Sequence, residues 1–413
     1  MTDSKSSESA SFGELLRSYR QSAGLTQQAL AEEAGLSWRG IQDLERGARR
    51  IPHATTITRL AEALRLDEPQ RDRFATIGRR NRSQGQAPAQ PTPVIGREHD
   101  LSVLQQRLLQ PEVRLLTLVG PGGVGKTRLA LGLMQRVEEH FRDGTRFVDL
   151  SALRDADPVV PTVARTLGIH DAGGQPVLRL LLEALRAREA LLVLDNFEHV
   201  LDAAPGLAEL LSGCPDVKLL ATSREPLGLR WEHLYVVPSL GVPDMRNVGS
   251  LDAVRAAPAV TLFLDRARAA DESFALTEVN APVIAALCSS LDGLPLALEL
   301  AAARVRTLSP QMLLQHLDRQ LDLLKGARDA PARQQSLRAT LTWSYALLGA
   351  AEQVVLRRLG VFAGGCRLEA AEAVCSEASV DVMSGLLSLV EKSLLRQEEA
   401  ADGARRYRLL ETV

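Results

Sequence analysis

Eight consecutive residues, Gly120 to Thr127 (Gly-Pro-Gly-Gly-Val-Gly-Lys-Thr), limit what this chain can fold into more than any other stretch. Glycines at 120, 122, 123 and 125 allow backbone conformations that other residues resist, so consecutive N–H groups can point inward around an anion. The apolar run Leu115 to Val119 before the loop predicts a buried strand, and Arg128 to Phe141 after it predicts an amphipathic helix. A helix that starts on such a loop adds its positive dipole end to the cradle. In this arrangement Lys126 reaches the β- and γ-phosphates of a nucleotide and the Thr127 hydroxyl holds Mg²⁺, with Val124 and Arg128 as further contacts. Lysine is otherwise rare: residues 5, 126, 218, 325 and 392 supply all of it among 49 Lys+Arg. A chain that prefers arginine places a compact ammonium here.

The remaining composition sets broad bounds. A length of 413 residues is enough for several domains, each with its own core. A formal net charge of −2 gives no overall attraction to nucleic acid or membrane, so such binding needs a local patch. Cys214, Cys288, Cys366 and Cys375 lack the paired spacings of a zinc site or a disulfide framework and read as reduced core residues. The polar start, Met1 to Glu8, has no apolar signal region, and no long uncharged apolar window follows. These features predict a cytoplasmic protein with no membrane partner.

Residues 1–11 read as disordered, and 12–80 as a helical head. Helical patterns run from Phe12 to Ser22, Thr26 to Ala34, Ser37 to Arg46, Ala54 to Leu64 and Glu68 to Arg79, with Gly24, Gly35, Gly47 and Pro52 at the joints. Thr26 and Ser37 stand where N-caps are wanted. Leu30, Ala31, Ile41 and Leu44 fall on inner faces, which is the layout of a helix-turn-helix. Ser37, Trp38, Arg39, Gln42 and Arg46 then face outward, followed by Arg49 and Arg50. Arginine and glutamine can pair with base edges, and arginine can clamp phosphates. Leu25-Thr26-Gln27-Gln28-Ala29-Leu30-Ala31, Gly35-Leu36-Ser37 and Ile41 to Gly47 resemble the phage-repressor (XRE, Cro/cI-type) helix-turn-helix. The resemblance implies a double-stranded DNA operator as partner, a phosphate contact from Gln27, and Ser37, Arg39 and Gln42 facing bases. Asp43 and Glu45 are expected to dilute the basic patch. One copy would bind weakly, so two half-sites and an assembly are expected. A helical bundle that holds a partner protein is the alternative reading of the same pattern.

Residues 81–93 turn to Gln, Ala, Pro, Gly and Ser and read as a flexible tether. From 94 to 255 apolar runs alternate with helical patterns; Arg146 to Leu150, Ala190 to Leu194, Val217 to Ala221 and Leu234 to Val237 read as strands of a mostly parallel sheet. Asp195, at the carboxyl end of such a strand, is a candidate for Mg²⁺ beside Thr127. Arg224 ends the next strand and can reach a γ-phosphate. Together with Val94-Ile95-Gly96-Arg97-Glu98 and Gly293-Leu294-Pro295-Leu296-Ala297-Leu298, these pieces resemble the signal-transduction ATPases (STAND class), in their NB-ARC-like branch, across about residues 94–413. The resemblance implies ATP/ADP as cofactor, with Val94, Ile95 and Pro295 lining the adenine pocket. It also implies a helical lid over 256–330 and a winged helix over 331–413.

One departure bears on chemistry. Asn196 stands where many members of that class carry a second acid, and an amide cannot take a proton from water. Hydrolysis is then expected to be slow unless Glu198 or a partner supplies the base, which suits a switch better than a motor. Within the tail, helices are expected over Ala257 to Leu324, Arg338 to Phe362 and Val380 to Leu395, with a wing strand over Tyr407 to Thr412. The chain stops at Leu-Glu-Thr-Val, within what reads as an element, so a repeat-type sensor is expected either beyond it or on another chain. The expectation is a multidomain, nucleotide-switched bacterial transcription regulator that self-associates on activation. A signalling or defence scaffold and an ATP-driven remodelling enzyme are its rivals.

Overall fold

Phe12, Leu16, Leu30, Ile41, Leu44 and Leu60 all lie on apolar helix faces, and in the computed structural model these faces close on one another as a separate small core. The structure describes residues 12–45, 54–68, 70–71, 74, 88, 92–169, 174–244, 250–317, 336–362, 364–375, 381–399 and 405–409. Helices α1 (Phe12–Ser22), α2 (Gln27–Ala34), α3 (Trp38–Glu45) and α4 (Ala54–Ala63) form the head. The second helix begins one residue later than its apolar pattern because Thr26 is its cap, accepting from Ala29 N at 3.1 Å. The Phe74 ring packs against that of Phe12, tilted by 38°, with centroids 4.7 Å apart. Glu68, Gln70, Arg71 and Phe74 are helical; the rest of the expected fifth helix, Arg46, residues 1–11 and all of the tether except 88, 92 and 93 lie outside the described residues.

Glu45 corrects an expectation. It follows Ile41 by one helical turn and therefore falls on the buried face, where Arg20 donates to it at 2.5 and 3.0 Å and Gln27 at 2.7 Å. Its charge is absorbed inside the head and does not dilute the outer surface.

Helix α5 (Glu98–Leu109) leads into β1 (Leu115–Val119), all of whose residues are buried. Then come α6 (Lys126–Val137), β2 (Thr145–Asp149), α7 (Val159–Thr166), α8 (Val177–Leu185), β3 (Ala190–Asp195), α9 (Ala204–Gly213), β4 (Val217–Ser223) and β5 (Glu232–Val236). The strands form one parallel sheet in the order β2-β3-β4-β1-β5. Parallel strands covered on both faces read as unbroken apolar runs, which is why β1 and β3 are legible in sequence. The edge strand β5 pairs on one side only and starts on polar Glu232 and His233, earlier than its apolar pattern.

One sheet face is covered by α7, α8 and α9. The other is covered by α5 and α6 and continues without a break into α10 (Leu251–Ala256), α11 (Pro258–Ala270), α12 (Ala281–Ser290), α13 (Pro295–Ala302) and α14 (Pro310–Leu317). Gly293 sets the entry to α13: its φ is 61°, and a Cβ there would collide with the Leu240 carbonyl oxygen. That close approach is held by Leu240 N donating to Gly293 O at 3.0 Å.

The C-terminal part has its own core and contains α15 (Leu337–Ala346), α16 (Ala350–Leu359), α17 (Leu368–Cys375), α18 (Val382–Glu391) and the antiparallel pair β6 (Leu395–Glu399) and β7 (Arg405–Leu409). The helix expected over Arg338 to Phe362 is two helices: Gly349 interrupts it and donates its N–H to Glu352 Oε2 at 2.7 Å, starting α16. The helix expected to reach Leu395 stops at Glu391, and Leu395 opens the wing. Residues 318–335 and 410–413, which the expected lid, winged helix and last strand include, lie outside the described residues. The four cysteines are buried free thiols. Among the described residues no helix is long and apolar enough to cross a membrane.

Candidate nucleotide-binding site

The carboxyl ends of β1, β3 and β4 meet at a cleft of about 240 Å³. Gly122, Gly123, Val124, Gly125, Lys126, Thr127 and Arg128 line it, as do Val94, Ile95, Pro295 and Arg224. Gly120 and Asp195 do not line it but bond to residues that do. Gly123 (φ 82°) and Gly125 (φ 97°) take left-handed conformations that begin α6. Gly123 is also packed against the helical cover: a Cβ there would lie 2.9 Å from Leu296 Cβ, and Leu296 N donates to Gly123 O at 3.2 Å. Lys126 is only 9 % exposed, and its ammonium donates to Gly120 O at 2.7 Å and Pro121 O at 3.2 Å.

Because β4 lies between β1 and β3, it supplies a hydroxyl to the same point as the loop. Thr127 Oγ1 donates to Asp195 Oδ1 and Oδ2 at 2.8 and 3.1 Å, and Thr222 Oγ1 donates to Asp195 Oδ1 at 2.6 Å. Burial pushes the Asp195 carboxyl up to about 6; the hydrogen bonds from Thr222 and Thr127 pull against this, and the charges of Glu198 and Asp149 add to it. Among the described residues no cluster of three or more His, Cys, Asp or Glu could hold a metal. A hydroxyl with one carboxylate instead fits Mg²⁺, which keeps several waters and takes phosphate oxygens as ligands. The glycine loop that lines the cleft, the buried ammonium and the apolar side chains of Val94, Ile95, Leu262 and Pro295 likewise fit a phosphate chain and a base ring.

Arg224 is buried, with Nε 3.5 Å from Glu198 Oε1. Its Nη1 donates in a short hydrogen bond to Ser344 Oγ of α15, and its carbonyl accepts from Ser393 Oγ at 3.3 Å. The strand-end arginine is thus joined to the C-terminal part, which also reaches the segment after β5 through Arg396 Nη2 to Ser239 Oγ at 2.7 Å. Arg97 and Glu299 are charged residues of the cleft that went unassigned in sequence, as did the apolar Leu240, Leu262 and Leu296. Arg97 is buried, pairs with Asp100 at 3.0 Å and donates to Val124 O at 3.0 Å, holding the phosphate loop from behind. Glu299 of α13 joins Arg128 and Arg266, each at 3.2 Å. The Gly-Arg-Glu before α5 was the available signal for the first; nothing in the local pattern marked the second.

On the head, Ser37, Trp38 and Arg39 are exposed and Gln42 is half-buried. The Ser37 hydroxyl caps α3 by accepting from Gly40 N at 3.1 Å. The Gln27 amide donates to Glu45 Oε2 at 2.7 Å. Asp43 pairs with Arg142 of the sheet domain at 3.1 Å, an exposed contact of at most about 1 kcal/mol.

Residues 11–74 match the helix-turn-helix domain family, 112–226 the AAA domain family, and 348–413 the winged helix-turn-helix domain family. The Mycobacterium tuberculosis protein Rv0890c, named as an HTH-type transcriptional regulator, is 43 % identical over 312 residues, 74 % of this chain and 34 % of its own length. A second protein of that organism, the uncharacterized Rv0894, is 36 % identical over 328 residues, covering 78 % of this chain and 79 % of its own. The chain belongs to one family with Rv0894, and it carries a helix-turn-helix, an AAA and a winged helix-turn-helix domain. Regulatory protein AfsR of Streptomyces griseus is a more distant relative, 31 % identical over 341 residues, 78 % of this chain and 32 % of its own. The chain spans about a third of the length of the curated regulators Rv0890c and AfsR.

Proposed function

We propose that this chain is a cytoplasmic, nucleotide-switched transcription regulator whose DNA-binding head is controlled by ADP/ATP exchange. In this reading 12–80 is the head, 81–93 the tether, 94–255 the ATPase, 256–330 the lid and 331–413 the winged helix. Lys126 and the glycine loop hold the phosphates, Thr127 and Asp195 hold Mg²⁺, and Val94, Ile95 and Pro295 receive the adenine. Trp38, Arg39, Gln42 and the preceding Ser37 meet DNA.

The observation that carries the reading is the bond between Arg224, which lines the cleft, and Ser344 of the C-terminal part. A third phosphate in the cleft would compete with Ser344 for the Arg224 guanidinium. When Arg224 turns from Ser344 toward that phosphate, α15 loses an anchor, and the winged helix is released for self-association. Heads brought onto neighbouring half-sites gain avidity without new base contacts. The switch needs the two nucleotides to favour different states, because equal affinity for both shifts nothing.

The test is selection from a random DNA library at two salt concentrations with ADP or ATP, alongside the mass distribution of the chain. A short selected motif, steep loss of affinity with salt, and larger assemblies in ATP are expected. Identical mass and DNA occupancy in empty, ADP and ATP states would sink the proposal. Arg39→Ala should relax base choice at one position by about 1–3 kcal/mol; an unchanged motif would remove Arg39 from the reading surface.

A further inference from the structure

We propose that Glu198 is the group that takes the proton from the attacking water when a nucleoside triphosphate is hydrolysed in this cleft. The inference rests on the reading of the cleft as an ATP site and assigns it a catalytic residue.

The residue directly after Asp195 is not available for that work. Asn196 is an amide, its φ is 64°, and its Nδ2 donates back to Asp195 Oδ2 at 2.8 Å. Its part is to orient the aspartate. The left-handed turn at Asn196 starts a short 3-10 turn, Phe197–His199, which is anchored by the fully buried Phe197 ring and by His199 Nε2 against Leu150 O at 2.9 Å. This turn carries Glu198 to the cleft, where it lines the same space as Lys126, Thr127 and Arg224.

The carboxylate it brings is under-satisfied. The Glu198 side chain is 4 % exposed, and Oε2 has no hydrogen-bond partner among the described residues. Leaving a buried carboxylate oxygen without a donor is costly, and such groups persist where a polar partner arrives in function. A purely structural role as counter-ion to Arg224 accounts for Oε1 alone, at 3.5 Å, and leaves Oε2 unexplained. A water held by Oε2 explains it. In the step, the water oxygen bonds to the γ-phosphorus, the bond from that phosphorus to the β,γ-bridging oxygen breaks, and Glu198 accepts the water proton and passes it to the released phosphate.

The experiment compares the full chain with its Glu198→Gln variant, each incubated with ATP and Mg²⁺, and identifies the nucleotide retained on the protein. Wild type should carry ADP and Glu198→Gln should carry ATP, with single-turnover hydrolysis slowed about a hundredfold or more. Affinity for a non-hydrolysable ATP analogue should stay within about threefold, since a removed general base leaves binding intact. Glu198→Asp keeps the charge but withdraws it by one methylene, and should hydrolyse more slowly than wild type with unchanged analogue affinity. Wild-type hydrolysis by either variant overturns the proposal, as does loss of analogue binding in both, which would make Glu198 structural. A wild-type chain that binds the analogue but never hydrolyses ATP overturns this inference alone. A chain that binds no nucleotide removes both this inference and the reading beneath it.

Discussion

Lys126→Ala is expected to lower ATP and ADP affinity by about a hundredfold or more while leaving the head folded. Two charge-assisted hydrogen bonds from the ammonium to phosphate oxygens contribute about 1.5 kcal/mol or more each, and their sum corresponds to about two orders of magnitude in Kd. In the structure these N–H groups are turned onto Gly120 O and Pro121 O, so the ammonium also closes the loop. Alanine would leave those carbonyls without that donor and let the cradle open, which adds to the loss. Lys126→Arg is not expected to restore binding, because a planar, forked guanidinium does not fit a space shaped around a compact, nearly buried ammonium. Titration with a fluorescent nucleotide reads the effect. Hydrogen exchange in α1 to α4 should be unchanged, since the head core shares no buried residue with the core around the loop. Full nucleotide affinity in Lys126→Ala would remove the loop from the site.

The strand, loop and helix around Lys126 were legible because a buried parallel strand and a glycine cradle impose strong local patterns. Asp195 was legible as the polar end of an apolar run. The order of the strands was not: nothing in Val217 to Ser223 says that it lies between β1 and β3, yet that placement is what lets Thr222 and Thr127 meet on one carboxylate. The partners of Arg224 were also hidden. Its position at a strand end is a local fact, whereas its bond to Ser344 depends on how two distant parts of the chain pack. Periodicity blurred α15 and α16 into one helix because Leu347, Leu348 and the alanines around Gly349 continue an apolar pattern. The break comes from the glycine and its Glu352 partner. Glu45 was misread because an acid among arginines on a short helix looks solvated, and a single step around the helix decides whether it is.

That buried acid leads to the second large effect. Glu45→Ala is expected to destabilise the head by about 3 kcal/mol or more, because removing one member of a buried, hydrogen-bonded charge pair leaves the other uncompensated. A head of this size has a total stability of only several kcal/mol, so the loss should unfold a large share of it at growth temperature. In the proposed reading, DNA binding would fall with it, although Glu45 faces away from the outer surface of α3. Burial alone would push the Glu45 carboxyl up, but the hydrogen bonds from Arg20 and Gln27 and the charges of Arg20 and Arg17 outweigh it and hold it below the usual glutamate range. The sign of the pH effect follows. A carboxyl lowered by folding contributes its full stability above its unfolded value and loses it as pH falls toward its folded value. Arg20, whose pKa is raised by its hydrogen bond to Glu45, stays charged throughout and adds no dependence there. Hydrogen exchange of α1 to α3 in the full chain, followed from neutral to acid pH, should therefore show a loss of protection in wild type that is blunted in Glu45→Ala. Replacing the pair together, Arg20→Met with Glu45→Leu, should recover much of the stability, since two apolar side chains remove the stranded charge. Equal protection of wild type and Glu45→Ala across that range would mean that the ion pair does not hold α3 in place.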